Sequence, residues 1–376
     1  RSLVGIFLFG IQTYFLSKLV VYLIRILIFS IDNTLLDQEI FLTFLLGLNL
    51  IDWFSIIVVI IFQTMLFSIG IQYNKKLINY SAIIVYVGMV IFFLTVFLSD
   101  VKTTTQAFSN ILNFENLLNK NNILPLLTVA GTIFAYFSII IVSFGDFSRY
   151  VKNKEDLNKG NLSLILNLII FSFFSIAIVV GSDVFLNQKF LDMDRIFTNP
   201  TDIIGKFDNL QITIVVLFFI IIASASTNLV ANYIPSQYSL INFLPNKLNL
   251  KSSSYTISIL GLIVGIFWLT VLSQIGVLSF IDTFSCFFGP LFGVIIADYY
   301  LIKNQTLSNK DLYSVETQSI YYYSRGWHIK GTYSIILGFI FSASTIWNGN
   351  LMFLQSYAWI IGAFTSWVTY YLLAKK

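Results

Sequence analysis

The sequence contains few charged residues, and this scarcity decides its class. Of its 376 residues, 11% are charged and 57% are hydrophobic, and the mean hydropathy is +0.83. A soluble domain of this length needs a far more polar surface. The composition therefore excludes a soluble globular protein and predicts an integral membrane protein.

Residues that carry enzyme chemistry are scarce too. A single cysteine, Cys286, excludes an intramolecular disulfide, and a single histidine, His328, argues against a histidine metal site. The net charge of +4 is spread among connections without a basic run, which gives no support to nucleic-acid binding. We recognise no nucleophile–base pair, zinc spacing or phosphate-cradling glycine loop. The chain is therefore predicted not to be an enzyme and to hold no cofactor.

What the sequence has in abundance is long apolar runs. Runs long enough to cross a bilayer fall at about 3–29, 51–71, 79–98, 124–144, 161–181, 211–231, 254–273, 275–297, 331–347 and 354–374. These ten spans predict one all-α transmembrane domain over residues 1–376. The weakest division is the Gln274–Gly276 region between the seventh and eighth spans.

Charge placement tests this topology independently. One set of alternate connections, with the two termini, holds most of the basic residues: Arg1, Lys75, Lys76, Arg149, Lys152, Lys154, Lys159, Lys247, Lys251, Lys303, Lys310, Arg325, Lys330, Lys375 and Lys376. The other set holds Lys102, Lys120, Lys189, Arg195 and Lys206, among acidic residues such as Asp192 and Asp202. The positive-inside rule then places both termini in the cytoplasm, and we expect a multi-pass protein of the plasma membrane.

Two basic residues lie inside a predicted span, and one carboxylate is set well inside an apolar run. Arg25 lies near the outer end of the first span and can snorkel. Lys18 is deeper, where snorkelling or pairing with a carboxylate is the expected arrangement. Asp282, early in the eighth span, either titrates in a proton-coupled cycle or faces the outer vestibule, and we favour the vestibule.

Small and hydroxyl-bearing residues gather at the end of the sixth span, in 220–236, just before Asn232. Ala223, Ser226 and Thr227 are spaced i, i+3, i+4 and share one helical face. Oxygen atoms on such a face suit sodium, a hard cation. The same residues also suit close helix packing in membranes. Spacing alone leaves both interpretations open.

The fourth span has two places at which a membrane helix can break or bend, Gly131 and Ser143–Gly145. Unwound backbone survives at membrane depth only where protein or a water-filled cavity receives its polar groups. Tyr136 and Phe137 lie between the two places. Their rings can stack on a flat conjugated solute or simply face lipid.

Four motifs resemble one transporter family. FGIQTYF at 9–15 is similar to its "WFGIQTW", and GDFSRY at 145–150 to its "DF-S/T-RY". STNLVANYIPSQYSLINFLP at 226–245 resembles "STN-x-x-AN…S…NLFP", and GPLFGVIIADYYLIK at 289–303 resembles "GP-x-x-G-x-x-x-ADYYL-x-(R/K)". Together they resemble the nucleobase:cation symporter-1 family, the cytosine/purine, uracil, hydantoin and allantoin permeases.

The resemblance implies a leucine-transporter-like fold of two inverted five-helix repeats plus two extra helices. Family members have twelve spans, and this chain aligns from the third onward, so we expect the first two spans to be missing. The first span of each repeat is broken in this fold and lines the site. Part of the sodium and substrate sites would therefore lie outside this sequence, and we expect residues 1–376 alone not to transport.

The family's site residues map onto this chain as follows. Gln12 and Asn232 match the amides that bind the substrate's lactam or ureido edge, because each amide offers a donor and an acceptor. Tyr136, with Phe137 as neighbour, falls where a stacking aromatic is expected. Ala223, Ser226 and Thr227 match sodium ligands, which favours the cation interpretation over helix packing.

The chain also departs from the family pattern. Leu8 stands where many members have a tryptophan that stacks on the other face of the ring, and Leu16 and Ser17 replace a common Gly-Gly pair. We therefore expect a preference for a smaller or less planar solute than a flat aromatic base.

The resulting prediction is a secondary transporter that imports a nucleobase, ureide or hydantoin by sodium symport and alternating access. A proton-coupled carrier of the same family, using Asp282, is one alternative. A non-transporting membrane sensor or an inactive fragment is another, because Leu8 and the abrupt start both weaken the site. The predicted partners are a small heterocycle and the lipid bilayer.

Overall fold

The computed structural model describes residues 1–69, 71–113, 119–189, 203, 206, 209–268, 270–274, 277–312, 314 and 316–375. The predicted division at residues 275–276 and the outer-side residues Asp192, Arg195 and Asp202 lie outside these ranges. In the described part the structure is helical and contains no strand.

Twelve helices of ten residues or more account for most of the described chain. They are α1 Ser2–Ile31, α2 Leu50–Ser68, α3 Ile71–Phe97, α4 Val101–Ile111, α5 Lys120–Val142, α6 Lys154–Lys189, α7 Leu210–Thr227, α8 Ile234–Phe243, α9 Leu250–Trp268, α10 Val277–Ile296, α11 Ile329–Trp347 and α12 Ala358–Ala374. Two π-helical segments interrupt this pattern, π1 at Asn228–Tyr233 and π2 at Ala297–Ile302. A 3-10 segment at Gly349–Tyr357 leads into α12.

Within the described ranges, ten helical segments are long and apolar enough to cross a membrane. Their order follows the ten predicted spans, from Ser2–Ile31 to Gly349–Ala374. The prediction of an all-α integral membrane protein is therefore confirmed. Helices suit this setting because they satisfy their own backbone hydrogen bonds where no water is present.

Where a helix begins, polar side chains replace the missing partners of its first N–H groups. At α2, Asn49 Oδ1 accepts from the Asp52 N–H at 2.9 Å, and Asp52 Oδ2 accepts from the Asn49 N–H at 3.1 Å. This reciprocal arrangement is a capping box. At α7, Asn209 Oδ1 accepts from the Ile212 N–H at 3.1 Å. These caps define two span boundaries that hydropathy leaves uncertain by several residues.

The chain divides into two compact units. The first comprises Arg1–Leu117 and Ser148–Gln274, and the second comprises Leu118–Phe147 and Ile275–Lys376. In the first unit, apolar side chains of α1, α2, α3, α6 and α7 form one cluster, and a second cluster surrounds Tyr233. The second unit packs α10, α11 and α12 through small residues, so that Gly338 lies against the Gly362 backbone.

The sequence predicts a break or a bend at Gly131, and the structure shows no break there. The α5 helix is continuous from Lys120 to Val142, and it ends at Ser143, followed by a single turn at Gly145–Ser148. A Cβ atom at Gly131 would lie 2.1 Å from the Ser356 carbonyl oxygen. The glycine is therefore explained by the close approach of the Gly349–Tyr357 segment, and it leaves the helix unbroken.

The charged residues of the spans have distinct environments. Lys18 Nζ forms an ion pair with Asp52 Oδ1 at 2.8 Å, which confirms the expected carboxylate partner. Arg25 is exposed, as snorkelling requires. Asp282 is only 4% exposed and accepts from Gln355 Nε2 at 2.7 Å. This burial disagrees with the expectation that Asp282 faces an open vestibule.

His328 belongs to a polar cluster at π2, and among the described residues it is not part of a group of His, Cys, Asp or Glu that could hold a metal ion. Tyr370 Oη donates to Asp298 Oδ1 at 2.6 Å and lies 3.2 Å from His328 Nε2. Lys303 pairs with Asp298 Oδ2 at 2.7 Å, and the His328 ring stacks on Tyr323. Partial burial lowers the pKa of His328, which favours its neutral form at pH 7. These contacts tie the connection after π2 to α12.

The Gly131 contact predicts opposite effects for two glycine substitutions. We expect Gly131→Ala to destabilise the protein by about 1–3 kcal/mol, because the new methyl group overlaps the Ser356 carbonyl. Gly160→Ala is the matched control, since nothing lies within 4 Å of a Cβ there. It should stabilise α6 by roughly 0.5–1 kcal/mol. Thermal unfolding in detergent measures both, and an unaffected melting temperature for Gly131→Ala would contradict the close approach.

The Lys18–Asp52 pair predicts a second contrast. Lys18→Met leaves the buried Asp52 carboxylate without its cation, at an expected cost of about 2–3 kcal/mol, below that of a fully buried pair because Lys18 is partly exposed. Arg25→Met, on the same helix, removes an exposed cation and should change stability by less than about 0.5 kcal/mol. Equal shifts in melting temperature for the two variants would show that the ion pair is not stabilising.

Candidate functional site

The candidate site is built around π1, where the sixth span changes its helical winding. The α7 helix ends at Thr227, and the Asn228 N–H is shared between the carbonyls of Ala225 and Ser224. The wider π turn occupies Asn228–Tyr233, and α8 continues from Ile234 with Pro235 in its first turn. Single π turns inside membrane helices are frequent at functional sites. Here the turn directs two buried asparagines toward α1.

The structure brings together the two amides that the sequence singled out. Asn232 Nδ2 donates to Gln12 Oε1 at 2.9 Å, although the residues are 220 positions apart. Gln12 Nε2 donates in turn to the Ser224 carbonyl at 3.2 Å. Asn232 is buried and Gln12 is half-buried. The pair therefore presents amide groups at the edge of a packed interior, which suits the recognition of a polar solute.

Behind this pair lie three polar residues that sequence reasoning missed. Asn232 Nδ2 also donates to Asn228 Oδ1 at 3.0 Å, and Asn228 Nδ2 donates to Thr13 Oγ1 at 3.2 Å. Thr13 Oγ1 donates to Gln63 Oε1 at 2.9 Å. Asn228, Thr13 and Gln63 are all buried. A signal existed, because Asn228 precedes Asn232 by one turn, Thr13 adjoins Gln12, and Gln63 interrupts an apolar run.

An apolar shell surrounds the amides and strengthens their hydrogen bonds. The Tyr233 ring lies fully buried between Phe9 and Phe67, with centroid distances of 5.5 Å and 5.0 Å. Water is thereby kept from the inner face of π1. In such surroundings a satisfied hydrogen bond is stronger and an unsatisfied polar group is costlier.

The three predicted sodium ligands lie at the carboxyl end of α7. Ser226 Oγ donates to the Ala223 carbonyl at 3.0 Å, so these two oxygens share one face. The Thr227 side chain is exposed where α7 meets π1. The oxygen donors suit a hard cation, but a helix that supplies three oxygens provides part of a coordination shell. The sodium role stays a prediction.

The predicted stacking aromatics lie on α5, in the second unit. The Tyr136 and Phe137 rings meet edge to face with centroids 5.3 Å apart, and Tyr136 is 49% exposed. An exposed ring face is available for stacking on a planar solute. The substrate-binding role of Tyr136 and Phe137 stays a prediction.

The helices and the amide network indicate the class of protein. Ten apolar helices carry a buried amide network, and among the described residues there is no cluster of His, Cys, Asp or Glu that would hold a metal ion. The arrangement is that of a multi-pass membrane protein with hydrogen-bonded amide side chains between its helices. Residues 1–362 match the sequence pattern of the family described as permeases for cytosine/purines, uracil, thiamine and allantoin. The chain belongs to this family.

Curated relatives carry the same kind of description. The chain is 25% identical over 255 residues to a purine-uracil permease of Arabidopsis thaliana, covering 64% of this chain and 41% of that protein. It is 27% identical over 244 residues to the allantoin permease of Bacillus subtilis, covering 65% and 48%. A hydantoin permease of Microbacterium maritypicum is 31% identical over 146 residues, covering 38% and 28%. The chain spans about half the length of the curated relatives it matches.

Solved structures show the same fold. Mhp1, a nucleobase-cation-symport-1 family transporter solved in a closed conformation with bromovinylhydantoin bound, matches with a TM-score of 0.68 at 18% identity, over 99% of this chain and 73% of that one. Its inward-facing conformation matches with a TM-score of 0.60 at 19% identity, over 100% and 73%. The expected leucine-transporter-like fold is thereby confirmed.

The amide network predicts a large effect from a small substitution. Asn232→Asp replaces Nδ2 by an oxygen that faces Gln12 Oε1 and Asn228 Oδ1, so that acceptors oppose acceptors. We expect a loss of stability of about 1–3 kcal/mol from the unpaired groups. Asn158→Asp, at an exposed site on α6, is the control and should stay within about 0.5 kcal/mol of wild type. If both variants melt alike in detergent, Asn232 does not donate to these two acceptors.

Proposed function

We propose that the full-length protein imports a nucleobase, ureide or hydantoin across the plasma membrane by sodium symport. The observation that carries the proposal is the Gln12–Asn232 amide pair, joined at 2.9 Å within a bundle of apolar helices. An amide pair of this kind matches the alternating N–H and C=O groups of lactam and ureido rings. The family and its purine-uracil, allantoin and hydantoin permeases support this choice of solute.

The expected mechanism is alternating access with cytoplasmic termini. The solute ring binds to Gln12 and Asn232, and the loaded site then opens to the cytoplasm. Sodium binds at the carboxyl end of α7, where Ala223, Ser226 and Thr227 supply oxygen ligands. Because linkage is reciprocal, sodium and solute raise each other's affinity by the same factor.

Sodium coupling is tested by uptake of labelled uracil, allantoin, hydantoin and cytosine by the full-length protein, with sodium replaced by choline. We expect uptake of one ring class to collapse in choline. Thr227→Ala and Ser226→Ala should lower sodium affinity by about tenfold or more, the effect of one lost charge-assisted contact.

Ser344→Ala is the matched control for the coupling experiment. Ser344 Oγ donates to its own helix at the Phe341 carbonyl, just as Ser226 does at Ala223. Its removal therefore tests for any general effect of losing an intrahelical hydroxyl bond. Sodium-independent uptake by the wild-type protein would refute sodium coupling. Ala223, Ser226 and Thr227 would then serve close helix packing.

A proton-coupled carrier is the second candidate, and Asp282 favours it. Lys18 forms an ion pair with the buried Asp52, and Lys303 forms one with Asp298. In the described part of the chain no cation pairs with Asp282. Its Oδ1 is buried without a hydrogen-bond partner in the described part of the chain. A carboxyl within a membrane span and without a partner cation is a candidate proton carrier. Under this mechanism a protonophore and Asp282→Asn abolish accumulation, while Ser226→Ala is silent.

A further inference from the structure

The row of polar side chains behind the candidate site has a fixed direction. It runs from Gln63 through Thr13 and Asn228 to Asn232 and ends at Gln12. An amide side chain can turn its oxygen and nitrogen ends around, so the direction of such a row depends on its surroundings. Here two backbone carbonyls, which only accept hydrogen bonds, orient the amides of the row.

The first carbonyl orients Asn228. The Phe9 carbonyl oxygen lies 3.3 Å from Asn228 Nδ2. Because a carbonyl cannot donate, the nitrogen end of Asn228 must face Phe9 and Thr13. The oxygen end of Asn228 then faces Asn232 and accepts from its Nδ2.

The second carbonyl orients Gln12. The Ser224 carbonyl oxygen accepts from Gln12 Nε2, so Gln12 Oε1 must face Asn232 Nδ2. The Asn232 nitrogen thus lies between two acceptors, Gln12 Oε1 and Asn228 Oδ1, and each takes one of its two hydrogens. Asn232 Oδ1 alone remains for a solute, and it is an acceptor.

At the Gln63 end, the row contains an unpaired buried polar group. Gln63 is 1% exposed, and its Nε2 has no hydrogen-bond partner in the described part of the chain. Turning the Gln63 amide would leave its oxygen and the Thr13 hydroxyl hydrogen unpaired instead. A buried unpaired group costs free energy. Either orientation of Gln63 therefore leaves at least one unpaired group, and the direction of the row determines which one.

We propose that Gln63, Thr13 and Asn228 are positioning residues that hold Asn232 as an obligate acceptor, so that the transported ring must donate an N–H to it. This inference rests on the proposed function and narrows its substrate class to rings with a free N–H. A ring fully methylated on nitrogen leaves the Asn232 oxygen unpaired, and sites built around a hydrogen bond discriminate strongly against analogues that lack it.

The test compares uptake of a transported ring with uptake of its fully N-methylated analogue by the full-length protein. We expect wild type to prefer the free ring by at least about tenfold. In the double variant Thr13→Val/Gln63→Leu, Asn228 Nδ2 keeps only its 3.3 Å contact to the Phe9 carbonyl. Asn228 is then held less firmly, so the preference should fall and KM for the free ring should rise.

Stability separates positioning from a purely structural role. Replacing both partners of a buried hydrogen bond is often nearly neutral. Here the substitutions also remove the Thr13 acceptor of Asn228 Nδ2, which costs stability, and the unpaired Gln63 Nε2, which offsets that cost. We therefore expect the double variant to melt close to the wild-type temperature while losing selectivity. The conservative Thr13→Ser should restore the preference. Thr64→Val, next to Gln63 but bonded to Ser258, lies outside the row and is the control. Wild-type selectivity in a stable double variant overturns the proposal.

Failure of the proposed function gives a different result. If the wild-type protein takes up no heterocycle, import is refuted. The hydrogen-bonded row is then tested by melting temperatures. Thr13→Val and Asn232→Leu form a double-mutant cycle between residues linked through Asn228. Non-additive melting shifts would show that the two residues are coupled, and a further Asn228→Leu substitution should remove that coupling. Additive shifts would overturn the proposal that the row connects them.

Discussion

One constraint governs this molecule: an apolar environment offers no hydrogen-bond partners, so every polar group must find one within the protein. The backbone groups of the spans are satisfied by helical hydrogen bonds. The charged side chains of Lys18 and Asp52 are satisfied by their ion pair at 2.8 Å. The amides of α1 and π1 meet the constraint by bonding in a row. Polar residues within the spans are therefore informative, because each one retained there needs a partner or a use.

The π1 segment shows how this constraint produces a site. A regular helix through Asn228–Tyr233 would satisfy its own backbone and direct its side chains by the ordinary period. Where α7 meets π1, the Asn228 N–H is shared between the Ala225 and Ser224 carbonyls, and the Ser224 carbonyl also accepts from Gln12. Local winding and side-chain recognition are thus coupled through one backbone oxygen. A change in winding at π1 would alter what Gln12 and Asn232 present to a solute.

Several buried polar atoms in the described part of the chain find no hydrogen-bond partner, and Gln63 Nε2 and Asp282 Oδ1 are two of them, in different units. Gln63 Nε2 ends the row behind Asn232, and Asp282 Oδ1 lies beside the Gly349–Tyr357 segment. Both are buried, and neither is needed to build a helix. In the mechanisms proposed above, the first bears on which hydrogen-bonding groups a solute must carry, and the second bears on ion coupling only in the proton-coupled carrier.

Composition and hydropathy alone determined the membrane class, the ten spans and their order, because burial in lipid demands long apolar runs whatever the tertiary packing. Motif resemblance further identified the family and placed Gln12 and Asn232 in the site. Sequence reasoning did not find Thr13, Gln63 and Asn228, and it predicted a break or a bend at Gly131, where the helix is unbroken. Those outcomes depend on neighbours distant in sequence: the Ser356 carbonyl beside Gly131, and the Phe9 and Ser224 carbonyls beside the amides. Only the tertiary structure could decide them, because the orientation of an amide and the space beside a glycine are set by contacts across the fold.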